Sequence, residues 1–408
     1  MKRIFFIIIF CVVVLAFSIE VKAATACTLH SSICGDVTEV NTSMMTAKLA
    51  YQFMGYSTVS YTDPTDTTLF SNILTRNVQL YFADGDTTKV VFQNGGITTG
   101  ETGTVGIRFE EDSPEIELPF YSIYDLNWND KKLITLATCK SAGESQPSTS
   151  SLTYQIANEG AQMTVGWYGT VNNESLPNWL NYYHERLAEG DNPYDAVNYA
   201  NSKFYVYPSV RNTYVVYNAL TSLSIEEISE LKLVDDKDTL ISNNILSQNE
   251  AAKYNFSQIE EILMEKNPDF NINNYQIKEF NTSYSTNLKD NKIKEDYTYI
   301  DYVYKIGDFI TNSAYTVILD SNDKILSIND NTIKKDDNVD VFLLSDNFTV
   351  SDSQRTHNIQ KAQNNYDDKS IIEDTEVIFY YDLNTRIKYA IVTIETETGV
   401  YETYKYII

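Results

Sequence analysis

Residues 133–143 read LITLATCKSAG: a buried-strand pattern from Leu133 to Thr138, then Cys139, then the small residues of a turn. The apolar run is too short for a helix and fits a strand covered on both faces. Upstream, residues 77–97 read NVQLYFADGDTTKVVFQNGGI, a second buried strand over Asn77–Ala83 stopped by Asp84-Gly85-Asp86. Downstream, Gln162–Tyr168 (QMTVGWY) is a third. Helical spacing fills the intervals. Thr42–Met54 sets Met45, Leu49 and Phe53 on one face, Ser57–Thr62 is a short strand, and Asp66 caps a helix through Leu74. Tyr154–Glu159 is helical. Ser175 and Pro177 open a helix with Leu176, Trp179, Leu180, Tyr183 and Leu187 on one side, ended by Gly190. Asn192-Pro193 starts another, carrying Ala196, Val197 and Ala200. Lys89–Phe92 and Gly106–Phe109 read as short extra strands. Strands alternating with helices predict an α/β domain, a mostly parallel sheet covered on both faces. Chemistry in such sheets collects at the carboxyl ends of the strands, which puts Asp84-Gly85-Asp86 and Cys139 on one edge.

The composition changes after Leu223. Ser224–Leu233 is acidic and amphipathic, residues 234–250 read as a polar linker, and Tyr254–Met264 is helical. Alternating segments follow at Tyr297–Tyr304, Ala314–Leu319, Lys324–Ile328, Val339–Leu344, Glu376–Tyr381 and Ile387–Ile394. This is the pattern of an antiparallel sheet with a helix, an α+β domain. The expected organisation is a leader over 1–23, an α/β domain over 24–222, a helix and linker over 223–253, and an α+β domain over 254–408.

Lys2 and Arg3, the apolar run Ile4–Ile19 and the small residues Ala23 and Ala26 together form a secretory signal pattern, with cleavage expected after Ala23. The expected location is therefore secreted or cell-surface, with no membrane association after the leader is removed. A net charge of −25 argues against nucleic acid as a partner. No CxxC or HExxH spacing is present, so neither a metal nor a cofactor is called for. Of the four cysteines, Cys11 lies in the leader, Cys27 and Cys34 are spaced for a small disulfide loop, and Cys139 is left over.

Four segments in order carry a resemblance: 77–97, 133–143, EGAQMTVGWYGTV at 159–171, and NWLNYYHERLAEGDNPYDAVNYAN at 178–201. Over about residues 26–220 the chain resembles the caspase, clostripain, gingipain and CHAT group of cysteine peptidases. The resemblance implies a caspase-haemoglobinase-type sheet and a Cys/His dyad that cleaves peptide bonds. Cys139 matches the nucleophile. The family's His-Gly after the preceding strand is here Asp84-Gly85: the glycine is kept and the histidine is not. The segment TNSAYTVILDSNDKILSI (311–328) resembles the PepSY-type modules of secreted peptidases, which implies an inhibitory, chaperoning or binding role.

The exchange works against the chemistry. A thiol of pKa ~8.5 needs a neighbouring imidazolium to ionise at neutral pH, and an aspartate raises its pKa instead. As a base, aspartate is mismatched to a thiol by roughly 4–5 pK units, about 6 kcal/mol. Dyad catalysis is expected to be strongly impaired. Three histidines remain: His184 on the polar side of its helix, His357 in the polar second half, and His30 at the end of a possible first strand, where it is the alternative base. Three functions follow: a silent peptidase homologue that binds a peptide or protein in the cleft, an active cysteine endopeptidase using His30, or a surface-binding module carried by the tyrosine-rich second half.

Overall fold

In the computed structural model, residues 24–32, 37–107, 114–172, 175–203, 208–223, 256–268, 270–332, 348–365, 372–383, 385–396 and 401–408 are described. Residues 1–23, expected to be a leader, together with Cys34, Ser224–Leu233, residues 234–250 and the Val339–Leu344 segment lie outside them. Among the described residues no helix is long and apolar enough to cross a membrane.

The first half contains β1 (Thr25–His30), α1 (Val37–Phe53), β2 (Ser57–Thr62), α2 (Asp66–Thr75), β3 (Val78–Phe82), β4 (Asp84–Gly85), β5 (Lys89–Phe92), β6 (Gly95–Thr98), β7 (Gly103–Ile107), β8 (Ile116–Ser122), β9 (Leu133–Ala137), α3 (Leu152–Asn158), β10 (Met163–Trp167), α4 (Leu176–Ala188), α5 (Pro193–Lys203) and β11 (Thr213–Tyr217). Strands β2-β1-β3-β9-β10 are parallel, and β11 closes the row antiparallel to β10. Every residue of β3, β9 and β10 is buried, as the continuous apolar runs predict.

Alternation along the strands splits the core in two. Val78, Leu80, Leu133 and Val165 pack under Val40, Met44 and Tyr51 of α1 and Trp179 and Tyr183 of α4. On the other face, Tyr81, Ile134 and Leu136 meet Leu69 and Ile73 of α2 and Leu152 and Ile156 of α3. Strands β4-β5-β6-β8-β7 form a separate small sheet.

Helix α1 departs from the expected pattern. It starts before Thr42, and Met45, Leu49 and Phe53 stay 53, 56 and 52% exposed. The buried stripe is Val40, Met44, Ala47 and Tyr51, one position round the helix. The helix therefore carries two adjacent apolar stripes, and the one with small Ala47 faces the sheet.

The second half contains α6 (Phe256–Lys266), β12 (Tyr275–Asn287), β13 (Lys294–Ile306), β14 (Phe309–Asp320), β15 (Ile325–Asn331), α7 (Asp352–Asn365), β16 (Ile372–Asp382), β17 (Ile387–Thr396) and β18 (Tyr401–Ile407). It comprises two helix-then-meander units. Helix α6 packs Ile259 and Leu263 on Ile300, Tyr302 and Val317. Helix α7 packs Ala362 near Phe379, Val392 and Ile394. The halves share one sheet: β11 pairs in parallel with β12, and the row runs β18-β17-β16-β14-β13-β12-β11-β10-β9-β3-β1-β2, with β15 beside β14.

Candidate active site

Register fixes the relative positions at the carboxyl edge. His30 pairs with Phe82, and Phe82 with Ala137. Asp84 lies two residues past Phe82 and Cys139 two past Ala137, so alternation sets both on the face where Phe82 and Ala137 pack.

The Cys139 turn is tightly built. Lys140 adopts φ +56°, a left-handed conformation costly for a side-chain-bearing residue, and its N–H donates to the Gly169 carbonyl at 2.8 Å. The Ser141 hydroxyl donates to the carbonyls of Leu136 (3.1 Å) and Thr138 (3.3 Å) and accepts from the Trp167 N–H (3.1 Å). Gly166 is required beside it, because a Cβ there would stand 2.0 Å from Thr153 Oγ1 and 2.8 Å from Ser141 Oγ.

Cys139 is half-buried, and both hydrogen bonds of its sulfur run to Val171. The Val171 N–H donates to Sγ at 3.4 Å, and the thiol donates to the Val171 carbonyl at 3.7 Å. Burial pushes the thiol pKa up. The Val171 N–H acts against this, the Asp84 carboxylate adds to it, and Lys140 opposes it. Lys140 is itself paired with Glu144 at 2.9 Å.

Asp84 and Gly85 are set by the small sheet, opposite Val91 and Val90. Gly85 has no room for a Cβ, which would lie 2.7 Å from the Lys89 carbonyl and 3.1 Å from Thr138 Oγ1. Its N–H donates to Asp84 Oδ1 at 2.8 Å. Asp84 remains accessible, yet surrounding atoms crowd its carboxylate and raise its pKa; the Gly85 N–H opposes the shift and Asp86 adds to it. Burial also acts on Asp86, but hydrogen bonds from Thr88 and Lys89 outweigh it and hold that carboxyl below its ordinary value.

His30 shares the edge but not the sulfur's surroundings. It is 3% exposed, and its Nε2 meets Thr62 Oγ1 at 3.1 Å on β2, the strand on the side away from Cys139. Two strand steps separate β1 from β9, about 10 Å at ordinary strand spacing. Burial lowers its pKa, with Asp63 opposing. Its Nδ1 has no hydrogen-bond partner among the described residues; the same holds for Thr138 Oγ1, Thr87 Oγ1 and Ser175 Oγ.

The other expectations divide. His184 is not on a polar surface. It is fully buried, with Nε2 3.0 Å from the Tyr51 hydroxyl and Nδ1 2.7 Å from the Leu180 carbonyl. The α1–α4 contact wraps around that side of α4, which the pattern of α4 alone does not reveal. His357 is exposed on α7. Cys27 is a free thiol, fully buried on the face opposite α1, and burial pushes its pKa up to about 12; Cys34, its expected partner, lies outside the described residues. Nothing in the sequence marks the Val171 bracket or the left-handed Lys140; the small residues after Cys139 signal only a turn. Among the described residues no cluster of His, Cys, Asp and Glu is arranged to hold a metal ion.

No family model matches the chain, and no curated protein matches it.

Proposed function

We propose that this chain is an exported protein on a caspase-like scaffold that binds a peptide or protein segment at the carboxyl edge of its sheet, and that Cys139 does not turn that segment over. One observation carries the reading: both hydrogen bonds of the Cys139 sulfur go to Val171, and the residue where a dyad needs an imidazole is the acid Asp84. A thiol so placed stays protonated at neutral pH, and a protonated thiol is a poor nucleophile. The strand-end positions of Cys139 and Asp84 support the scaffold, and the helix-then-meander units of the second half support a PepSY-like, ligand-holding role there. The strongly acidic chain favours a basic partner over nucleic acid.

The test is alkylation and hydrolysis on the same preparation. Iodoacetamide near pH 7 is expected to modify Cys139 more slowly than a free cysteine, with no cleavage of a mixed unstructured peptide pool. Fast modification together with hydrolysis that vanishes in Cys139→Ala would refute the silent reading. His30 keeps an active endopeptidase as the second reading, on the strength of its unpartnered Nδ1. In that case hydrolysis must vanish in His30→Ala as well. Export is tested by finding the protein outside the expressing cell with Ala24 as its first residue.

A further inference from the structure

The outer edge of β11 is covered by the chain's own second half, and the contact is specific. Tyr214, Val215, Val216 and Tyr217 pair in register with Tyr284, Ser285, Thr286 and Asn287. Just before β11, Arg211 grips Asp301 of β13 with two nitrogens at 2.6 and 3.2 Å, both side chains fully buried. Thr316 donates to the same carboxylate at 2.8 Å, and the guanidinium lies 5.2 Å from the Tyr299 ring centre. Tyr214 and Thr286 share a hydroxyl contact at 2.8 Å, and Asn281 donates to Asn212 at 3.2 Å. Without this cover β11 would be an open edge displaying Tyr214 and Val216, the kind of edge that recruits other chains.

One contact reaches towards Cys139. The Tyr168 hydroxyl donates to the Thr282 carbonyl of β12 at 2.6 Å. The Tyr168 backbone bridges Gly143, and the next carbonyl, Gly169, receives the Lys140 N–H. The second half thus touches the residue beside Gly169, whose N–H and carbonyl hold Gly143 and Lys140 at the two ends of the Cys139 turn.

We propose that residues 256–408 are a resident partner of the β11 edge, recognised through Arg211–Asp301, and that they hold the Cys139 turn through Tyr168, a positioning residue. The proposal stands on the strand pairing and not on what the cleft binds.

The experiment inserts a site-specific protease sequence into the full chain between Leu240 and Ile241, or between Asn244 and Ile245 as an independent second version, and cuts the purified protein. The two fragments are expected to leave a sizing column together, at the volume of the uncut chain. Fragments that separate in native buffer overturn the proposal. In the uncut chain, Tyr168→Phe is expected to speed alkylation of the Cys139 peptide about fivefold, the factor one net hydrogen bond is worth. The rate is read by mass spectrometry well below the unfolding transition. A merely structural Tyr168 would lower the thermal midpoint and leave that rate alone, which overturns the coupling to Cys139.

Discussion

Burial of His184 makes the fold acid-sensitive at one identifiable position. Its ring is enclosed between Tyr51 and the Leu180 carbonyl, and burial lowers its pKa from 6.5 to about 4, with the Leu180 contact opposing. In the unfolded chain the same imidazole takes a proton near pH 6.5. Between the two values the unfolded state holds more protons, so stability falls as pH drops through that window and is fully present above it. Each pK unit is worth 1.36 kcal/mol, so a separation of about 2.5 corresponds to about 3 kcal/mol lost by pH 4. Other groups titrate across the same range: burial raises Asp296 to about 7, against hydrogen bonds from Ser285 and Tyr194, and this acts in the opposite direction. The informative quantity is therefore a difference. His184→Gln keeps a side chain that can meet Tyr51 but has no charge to gain. Urea unfolding followed by circular dichroism, at half-unit steps from pH 7.5 to 4, gives ΔG for both proteins. The wild-type advantage at neutral pH is expected to shrink by about 3 kcal/mol on reaching pH 4. Parallel ΔG–pH curves would show that His184 is protonated without penalty and would refute the reasoning.

Arg211→Met strands Asp301 in the interior and is expected to cost about 3–5 kcal/mol, read as a lower urea midpoint. Asp84→His replaces a group that raises the Cys139 pKa with one that can lower it, while leaving Gly85 in place. Alkylation of Cys139 at pH 7 is expected to rise at least about tenfold, and an unchanged rate would mean that the Val171 bracket alone controls the thiol. Gly166→Ala drives a methyl into Thr153 and Ser141 and is expected to cost about 1–3 kcal/mol, measured by thermal unfolding.

The elements that sequence locates best are those whose burial is one-dimensional. The runs at 78–82, 133–137 and 163–167 are buried at every position, so their composition alone marks them as central strands. Helix α4 is equally legible, because Leu176, Trp179, Leu180, Tyr183 and Leu187 form a single stripe. Helix α1 is not. Periodicity finds its apolar residues but cannot say which of two neighbouring stripes meets the sheet, and the bulkier one stays outside. His184 fails for a related reason: a polar ring on the far side of one helix is buried by another helix, and no single-helix pattern records that. The pairing of β11 with β12 is a non-local contact across a composition break, and the sequence reads there as a boundary.

The site shows the same division between local and non-local information. Cys139 and Asp84 are strand-end residues, and the apolar runs that precede them are enough to place both on one edge. What decides the chemistry is the company they keep, and that comes from elsewhere in the chain. Val171, 32 residues on, supplies both hydrogen-bond partners of the sulfur. His30 reaches the same edge, but its ring is committed to Thr62 on the outer strand. The turn meanwhile keeps a left-handed Lys140 and three Ser141 hydrogen bonds, an arrangement more costly than an ordinary loop needs. In the proposed function, that rigid turn would hold a ligand in a fixed place beside a thiol whose pKa burial raises, rather than attack it. That distinction is what the paired measurement of Cys139 alkylation and peptide hydrolysis resolves.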